Sequence, residues 1–577
     1  MNMTRHPRKL RSNFEPGSPL WAVRRAQWKA LGLSDEDMEK PKIAVVNSSS
    51  ELAICFSHLD KVAETVKQAV RDAGGLPFEI RTTAPSDFII CAGGGGGYIL
   101  PSRDLIVNDI EVAVEGAQLD GMICLTSCDK TPPGHLMAAA RLDIPTILVV
   151  CGYQPSGTYN GRHVDIEEVF LSSAGVVRGT LSREELTGMS DNAVRGPGVC
   201  SGMGTANSMH VVCEALGMSL PGSAPVRANS RQMTDFARLS GERIVSMVLE
   251  DLRPRRVLTP GAFRNAVAAV LAVSGSINTV KHLQAIATEG GVPVDVFALF
   301  EELSRAVPML TAVRPNGETS IEAFEAAGGA RAILKRLEGL LDAGALTVTG
   351  RTVRDNLAGF VAAEKDADEE VIRPLHRPIS DQAPIVIVRG SLAPDSGIVK
   401  IGAREPGRRT SFTGPAVVYE KPAAAVAAIN KGELASGDVL VLRGNGLKGG
   451  PGMAGSVSSV VFTLYAAGLE NEVAVVSDGQ LSGLVNKGLV VGEVSPEAAD
   501  GGPLALVRDG DPISIDLDRR ALDLLVPADE LAARGGGAAG DSPQPGSSLS
   551  SPSSGYLAIY RRSVQPMSTG AVLGRDP

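Results

Sequence analysis

The chain has 577 residues, of which 44% are hydrophobic, 21% charged and 4% aromatic. This length supports at least two domains with ample buried core, and the composition excludes intrinsic disorder and a disulfide-stapled miniprotein. With 56 Lys and Arg against 65 Asp and Glu, the net charge is −9, so the cationic excess that binds nucleic-acid phosphates is missing.

The first residues carry a small basic arm (Arg5, Arg8, Lys9, Arg11) without the apolar run of a secretory signal, so a cytoplasmic protein is expected. No stretch approaches the ~18 consecutive apolar residues of a membrane helix, which predicts no membrane span. Seven cysteines in a reducing compartment are not read as a disulfide framework.

From 42 to 150, short aliphatic runs alternate with longer amphipathic ones. Strands are predicted over 43–46, 77–81, 122–125 and 146–150, and helices over 59–73, 103–117 and 135–141. That alternation implies an α/β domain built on a mostly parallel sheet. Ligands of such sheets collect beyond the carboxyl ends of the strands, where this chain places Asn47, Glu51 and Cys55, then Cys128-Asp129-Lys130, then Cys151-Gly152. Residues 165–369 are helix-patterned and read as a helical elaboration of this first domain, 1–374. Beyond 374, β-branched runs at 384–388, 397–401, 416–419, 439–442, 473–476, 489–491 and 513–515 predict a second, β-rich, barrel-like domain over 375–577. The Gly/Ser/Pro tract 534–555 reads as a flexible linker to a short last segment.

Cys128-Asp129-Lys130 combines a soft thiolate, a hard carboxylate and an amine at a strand end. The set suits iron or zinc through sulfur and magnesium through oxygen; the plain alternative is a turn with a capping Asp and a solvated Lys. Cys55 and His58 resemble half a zinc site without a matching half. Cys200 stands in a Gly-rich turn before a predicted helix, whose N-terminus is expected to favour the thiolate. Cys91, Cys124, Cys151 and Cys213 are read as buried small hydrophobes. The glycine stretches 93–97 and 444–455 are expected to bring backbone amides toward an anionic substrate, and Asp478-Gly479-Gln480-Leu481-Ser482-Gly483 to expose Ser482 on a turn.

Taken together these segments resemble the family of iron–sulfur dihydroxy-acid and sugar-acid dehydratases over nearly the whole length. The marks are Cys55-Phe56-Ser57-His58, Ser86-Asp87, Leu100-Pro101-Ser102-Arg103-Asp104, Cys128-Asp129-Lys130 and Cys200-Ser201-Gly202-Met203-Gly204. Further on come Glu214 to Gly222, Lys448-Gly449-Gly450-Pro451-Gly452-Met453 and the turn bearing Ser482. The resemblance implies a two-iron or four-iron cluster held by Cys55, Cys128 and Cys200 with one iron open to substrate. It also implies a magnesium ion (Mg2+) on Asp87, Asp129 and carbamylated Lys130, and Ser482 as the base. The implied reaction dehydrates a 2,3-dihydroxy acid to a 2-keto acid. The default substrate is 2,3-dihydroxy-isovalerate of branched-chain amino-acid biosynthesis, with sugar acids as the alternative. The implied assembly is a homodimer or homotetramer acting on a small molecule.

Three positions depart from the family pattern. Gly455 stands where relatives carry a magnesium-binding glutamate, Phe88 follows Asp87 in place of a glycine, and Asn445 replaces an acidic residue. The first of these motivates a further alternative, a catalytically impaired homologue that keeps the cluster.

Overall fold

The computed structural model describes residues 10–92, 95–362, 371–402, 409–450, 456–483, 486–535 and 554–574. Strands β1 (Lys42–Asn47), β2 (Leu76–Arg81), β3 (Gly121–Thr126) and β4 (Thr146–Val150) form a sheet in the order β2-β1-β3-β4, with every neighbouring pair parallel. β1, β3 and β4 are buried at every position, which explains their unbroken aliphatic sequences: a sheet covered on both faces has no polar side.

The covering helices read as amphipathic stripes. Leu59–Asp72 buries Leu59, Val62, Ala63, Val66, Ala69 and Val70, spaced three and four apart. The long helix Arg231–Glu250 packs on it, and Gly241 permits the close approach, because a Cβ there would lie 2.8 Å from the Ala69 Cβ. A small hairpin, β5 (Gly157–Tyr159) with β6 (Arg162–Val164), follows β4 and was not foreseen from the sequence. Beyond it lies the expected helical elaboration, whose innermost helices Pro260–Ala272 and Asn278–Gly290 are buried on nearly all faces.

The second sheet contains β7 (Ile385–Val388), β8 (Ser396–Lys400), β9 (Ser411–Tyr419), β10 (Val439–Leu442), β11 (Ala474–Ser477), β12 (Val490–Ser495), β13 (Pro512–Asp516) and β14 (Ala521–Leu524). Its order is β14-β13-β9-β10-β11-β12-β8-β7, and a bridge from Arg389 to Ala521 brings the two edges together into a nearly closed, barrel-like mixed sheet. The strands at its centre serve two cores at once. In β10, Val439 and Val441 enter the barrel interior while Leu440 and Leu442 join the main core.

The end of the chain returns to the first sheet's helices. In Gly555–Ser563, the Tyr556 hydroxyl donates to Pro101 O at 2.6 Å. Arg103, fully buried, pairs with Asp104 at 3.1 Å and donates to Ala571 O at 2.7 Å. Gly570, at φ +80°, fits here because a Cβ would come within 2.2 Å of Ala285 N. Arg534 and Gly535 close the helix Ala528–Gly535; most of the expected linker, 536–553, lies outside the described residues.

Replacing Arg103 by Met leaves the buried Asp104 unpaired and the Ala571 carbonyl unbonded. The expected loss is about 3–5 kcal/mol of stability, the usual consequence of removing one partner of a buried pair. Denaturant titration of Arg103→Met checks this, and an unchanged midpoint would show that the end segment contributes nothing to the fold.

Candidate active site

Three loops carry the three candidate cluster cysteines to one place. Cys55 follows β1 and Cys128 follows β3, while Cys200 arrives on a segment tied to the end of β4 through Val199 N to Gly152 O at 3.0 Å and Gln154 N to Val199 O at 2.7 Å. Gly198 is required in that segment: φ is +116°, and a Cβ would lie 2.5 Å from the Tyr153 carbonyl carbon.

Hydrogen bonds fasten the loops to one another. The Ser127 hydroxyl donates to Cys55 O at 2.6 Å, and His210 Nε2 donates to Ser127 O at 3.1 Å. Asn207 Nδ2 donates to both Cys200 O and Gly202 O at 2.8 Å. Asn207 and His210 both belong to the helix Thr205–Ala215, so a single helix holds two of the three loops.

The Cys128 thiol lies against that of Cys55, and this contact together with burial pushes it well above the ordinary thiol range. Cys200 is raised as well, by burial first and then by Glu167 and Asp129, so the expected lowering by the helix start does not occur. A thiolate trio here therefore needs a bound cationic group to hold it. Among the described residues, no three His, Cys, Asp or Glu side chains are arranged around a single ion. His58 Nε2 donates to Cys151 O at 2.7 Å and its buried Nδ1 has no hydrogen-bond partner, but no set of three ligands completes the half zinc site among the described residues. Three soft donors converging from separate loops fit a multi-iron cluster better than a lone ion.

Beside the thiols, Lys130 is fully buried, with its ammonium 3.0 Å from Asp87 Oδ2 and 3.8 Å from Asp129 Oδ2. Burial disfavours its charge, but the two carboxylates outweigh that and raise its pKa. Asp129 is pushed up to about 7 by burial and by Asp87. Asp87 Oδ1 is buried and has no hydrogen-bond partner. Hard oxygens around one cation, with an acceptor left over, are a donor set that fits magnesium.

These groups open onto a cavity of about 600 Å³. Asp87, Asp129, Glu167 and Cys200 line it, together with Asn278, Gln480, Ser458 and Ser482. Ser482 reaches it on the turn after β11, where its amide donates to the Ser458 hydroxyl at 3.2 Å. Phe88 does shape this space, as its sequence position predicts. It meets Phe170 edge-on at 6.1 Å, and Phe170 meets Phe462 at 5.3 Å, forming an aromatic wall.

Full-length comparison decides the family. A model described as dihydroxy-acid/6-phosphogluconate dehydratase N-terminal matches residues 40–356, and its C-terminal counterpart matches 370–571. The chain belongs to the dihydroxy-acid/6-phosphogluconate dehydratase family. It is 41% identical over 567 residues to a dihydroxy-acid dehydratase of Methanococcoides burtonii, covering 98% of this chain and 100% of that one. It is 43% identical over 521 residues to one from Ignicoccus hospitalis, covering 89% and 92%, and 42% over 515 residues to one from Pyrococcus abyssi, covering 89% and 92%. As a member of this dehydratase family the chain is a hydro-lyase.

Several expectations need correction within this dehydratase. Cys91 is not a buried hydrophobe but an exposed residue on the cavity wall, one helical turn after Asp87. The amides of Gly444 and Asn445 do not face a substrate: they donate to Asp478 at 3.0 and 2.9 Å. Asn445 is buried in that turn, with Nδ2 on Arg443 O and Glu420 O, and is not among the residues lining the cavity. Gly455 lies outside the described residues. Sequence reasoning also missed Glu167, Asn278 and Gln480, which only tertiary packing brings to the cavity. Among the described residues no helix is long and apolar enough to cross a membrane.

The Lys130 ammonium makes the proximity of Asp87 and Asp129 tolerable. Lys130→Met is expected to cost the metal-free protein about 3–5 kcal/mol, as an uncompensated buried charge does. Adding Asp87→Asn to that variant should recover a substantial part, measured as a double-mutant cycle in urea. Strict additivity would refute the coupling.

Proposed function

We propose that the chain dehydrates a 2,3-dihydroxy acid with a short branched tail, 2,3-dihydroxy-isovalerate by default, to the corresponding 2-keto acid of branched-chain amino-acid biosynthesis. The observation that carries this choice is the mixed lining of the cavity, where Asp87, Asp129, Asn278, Gln480 and Ser482 are joined by the rings of Phe88 and Phe170. The polar groups match a carboxylate and vicinal hydroxyls, and the rings match the two methyl groups on C3. Tail hydroxyls of a sugar acid lying on those rings would find no partner there.

In this reading Cys55, Cys128 and Cys200 hold an iron–sulfur cluster, while Asp87, Asp129 and carbamylated Lys130 hold magnesium. When bound, the two groups supply Lewis acidity at the C3 hydroxyl and at the carboxylate and C2 hydroxyl. The chain's own contribution is to orient and to move protons. Ser482 lines the same cavity as the carboxylates and takes the C2 proton; an ordinary serine hydroxyl is far too weak a base, so its anion depends on cations held nearby. Asn278 and Gln480, joined at 3.1 Å, fix the turn on which Ser482 stands. The aromatic wall keeps bulk water from the reacting carbons.

A second reading, an impaired homologue, rests on Gly455 in place of the family's glutamate. Cluster-loaded protein that turns over none of a panel of 2,3-dihydroxy acids would favour it.

Anaerobically purified protein is expected to contain iron and acid-labile sulfide in equal amounts, and to convert 2,3-dihydroxy-isovalerate faster than C5 and C6 sugar acids. Ser substitution at Cys55, Cys128 or Cys200 should strip the cluster. Ser482→Ala should retain full iron and sulfide while reducing kcat by about 10²–10⁴-fold, the range for losing a general base. A near-normal rate in Ser482→Ala would remove it from the mechanism.

A further inference from the structure

One acid in the cavity has no role in the mechanism above. Glu167 stands in the first turn of the helix Ile166–Val177, whose cap, Asp165, accepts from the amides of Glu167 and Glu168 at 2.9 Å each. The capped turn directs the Glu167 side chain inward: it is 7% exposed, it lines the cavity, and its Oε2 has no hydrogen-bond partner. A buried carboxyl oxygen without a partner is costly, and a side chain retained only for packing would not incur that cost.

The cysteine loop is shaped around this group. A Cβ on Gly202 would lie 2.6 Å from Glu167 Oε2, and a Cβ on Gly204 would lie 3.3 Å from Oε1. On the other side of the same loop, a Cβ on Gly483 would lie 3.6 Å from the Gly204 Cα. Glu167 and the Ser482 turn therefore flank Gly204, and both open onto the space a substrate would fill.

We propose that Glu167 is a catalytic acid of the dehydration, delivering the proton that leaves with the C3 oxygen. The proposal rests on the dehydratase reading and deepens it. Burial first, then Asp165, Asp129 and Glu168, raise Glu167 well above the usual carboxylate range. The Cys200 thiol also faces it, and the guanidinium of Arg314 is paired with Glu318 and Glu168.

The step balances. Ser482 takes the C2 proton, the C2–H electron pair forms the C2–C3 double bond, the C3–O bond breaks, and the Glu167 proton joins the departing oxygen to make water. On tautomerisation Ser482 returns its proton to C3, and the enol hydroxyl proton leaves to solvent, from which Glu167 is reprotonated. The product is the 2-keto acid.

The test compares leaving groups in the cluster-loaded enzyme. 2,3-Dihydroxy-isovalerate must lose a protonated oxygen, whereas 3-chloro-2-hydroxy-isovalerate gives the same enol by expelling chloride, which needs no proton. Glu167→Gln is expected to slow the dihydroxy acid by about 10²–10⁴-fold while sparing the chloro acid, with Glu167→Asp recovering part of the loss. Infrared difference spectra of wild type against Glu167→Gln, taken without substrate, should show one carboxylic-acid carbonyl band in the wild type alone.

Equal slowing on both substrates, no slowing on either, or absence of that band would overturn the proposal. Loss of iron, sulfide or magnesium from Glu167→Gln would also overturn it, by making Glu167 a ligand. The rate ratio is read on whichever dihydroxy acid the wild type turns over, so a wrong substrate and a wrong acid give different results.

Discussion

The candidate site exists only where the two sheets meet, and a buried ion pair holds them there. Lys281, on the inner helix Asn278–Gly290, donates to Glu493 of β12 at 2.6 Å, and both side chains are fully shielded from solvent. The same ammonium donates to Asn278 Oδ1, which also accepts from Gln480, so the pair continues into the turn that carries Ser482. Glu493 sits at φ +53°, within a strand whose register against β8 shifts between Gly492 and Ser495. A non-glycine residue held in the left-handed region costs free energy, and here the ion pair is what that strain accompanies. Lys400 of β8 reinforces the junction by donating to Ser274 O at 2.6 Å. Undocking the barrel would separate Lys281 from Glu493 and Lys400 from the Ser274 carbonyl.

Burial also explains why the site is so acidic yet stable. Asp87, Asp129, Glu167 and Cys200 line one cavity, and the buried Cys128 thiol and Lys130 ammonium stand beside them. In a low-dielectric interior such a set cannot all be ionised without compensating cations. Burial and neighbouring charge accordingly hold Cys128, Cys200 and Glu167 above their ordinary ranges and push Asp129 up to about 7, while Asp87 and Asp129 favour the charged form of Lys130. Under the proposed reading, a bound cation would take the place of a proton on these groups, which makes binding of the cofactors release protons.

Much of this was legible in the sequence, for identifiable reasons. Strands buried on both faces write continuous aliphatic runs, so β1, β3, β4 and most barrel strands could be read to within a residue or two. β14 was not, because Ala521–Leu524 is a four-residue edge strand with only two buried positions, too short to stand out. Cys55, Cys128 and the residues around them were found because they follow strands directly. Glu167 was invisible: as the second acid in a capped first turn, it reads as an ordinary macrodipole partner, and only the glycines at 202 and 204 reveal that it points inward. The amides at Gly444 and Asn445 misled for the converse reason, since a glycine-rich loop that wraps a carboxylate of its own chain has the same sequence as one that wraps a ligand.

The aromatic wall links selectivity to the same docking that assembles the chemistry. Phe88 and Phe170 come from the first domain, but the ring that backs Phe170 is Phe462, on the helix Ser456–Ala466 that follows β10. That helix also carries Ser458, whose hydroxyl accepts from the Ser482 amide. One helix of the barrel therefore sets both the rear of the apolar wall and the height of the proposed base. A shift of the barrel relative to the first sheet would loosen the fit to a branched tail and move Ser482 from the reacting carbon together. In the proposed mechanism tail recognition is thereby tied to proton transfer, and a tail that seats poorly against Phe88 and Phe170 is expected to lower kcat as well as affinity.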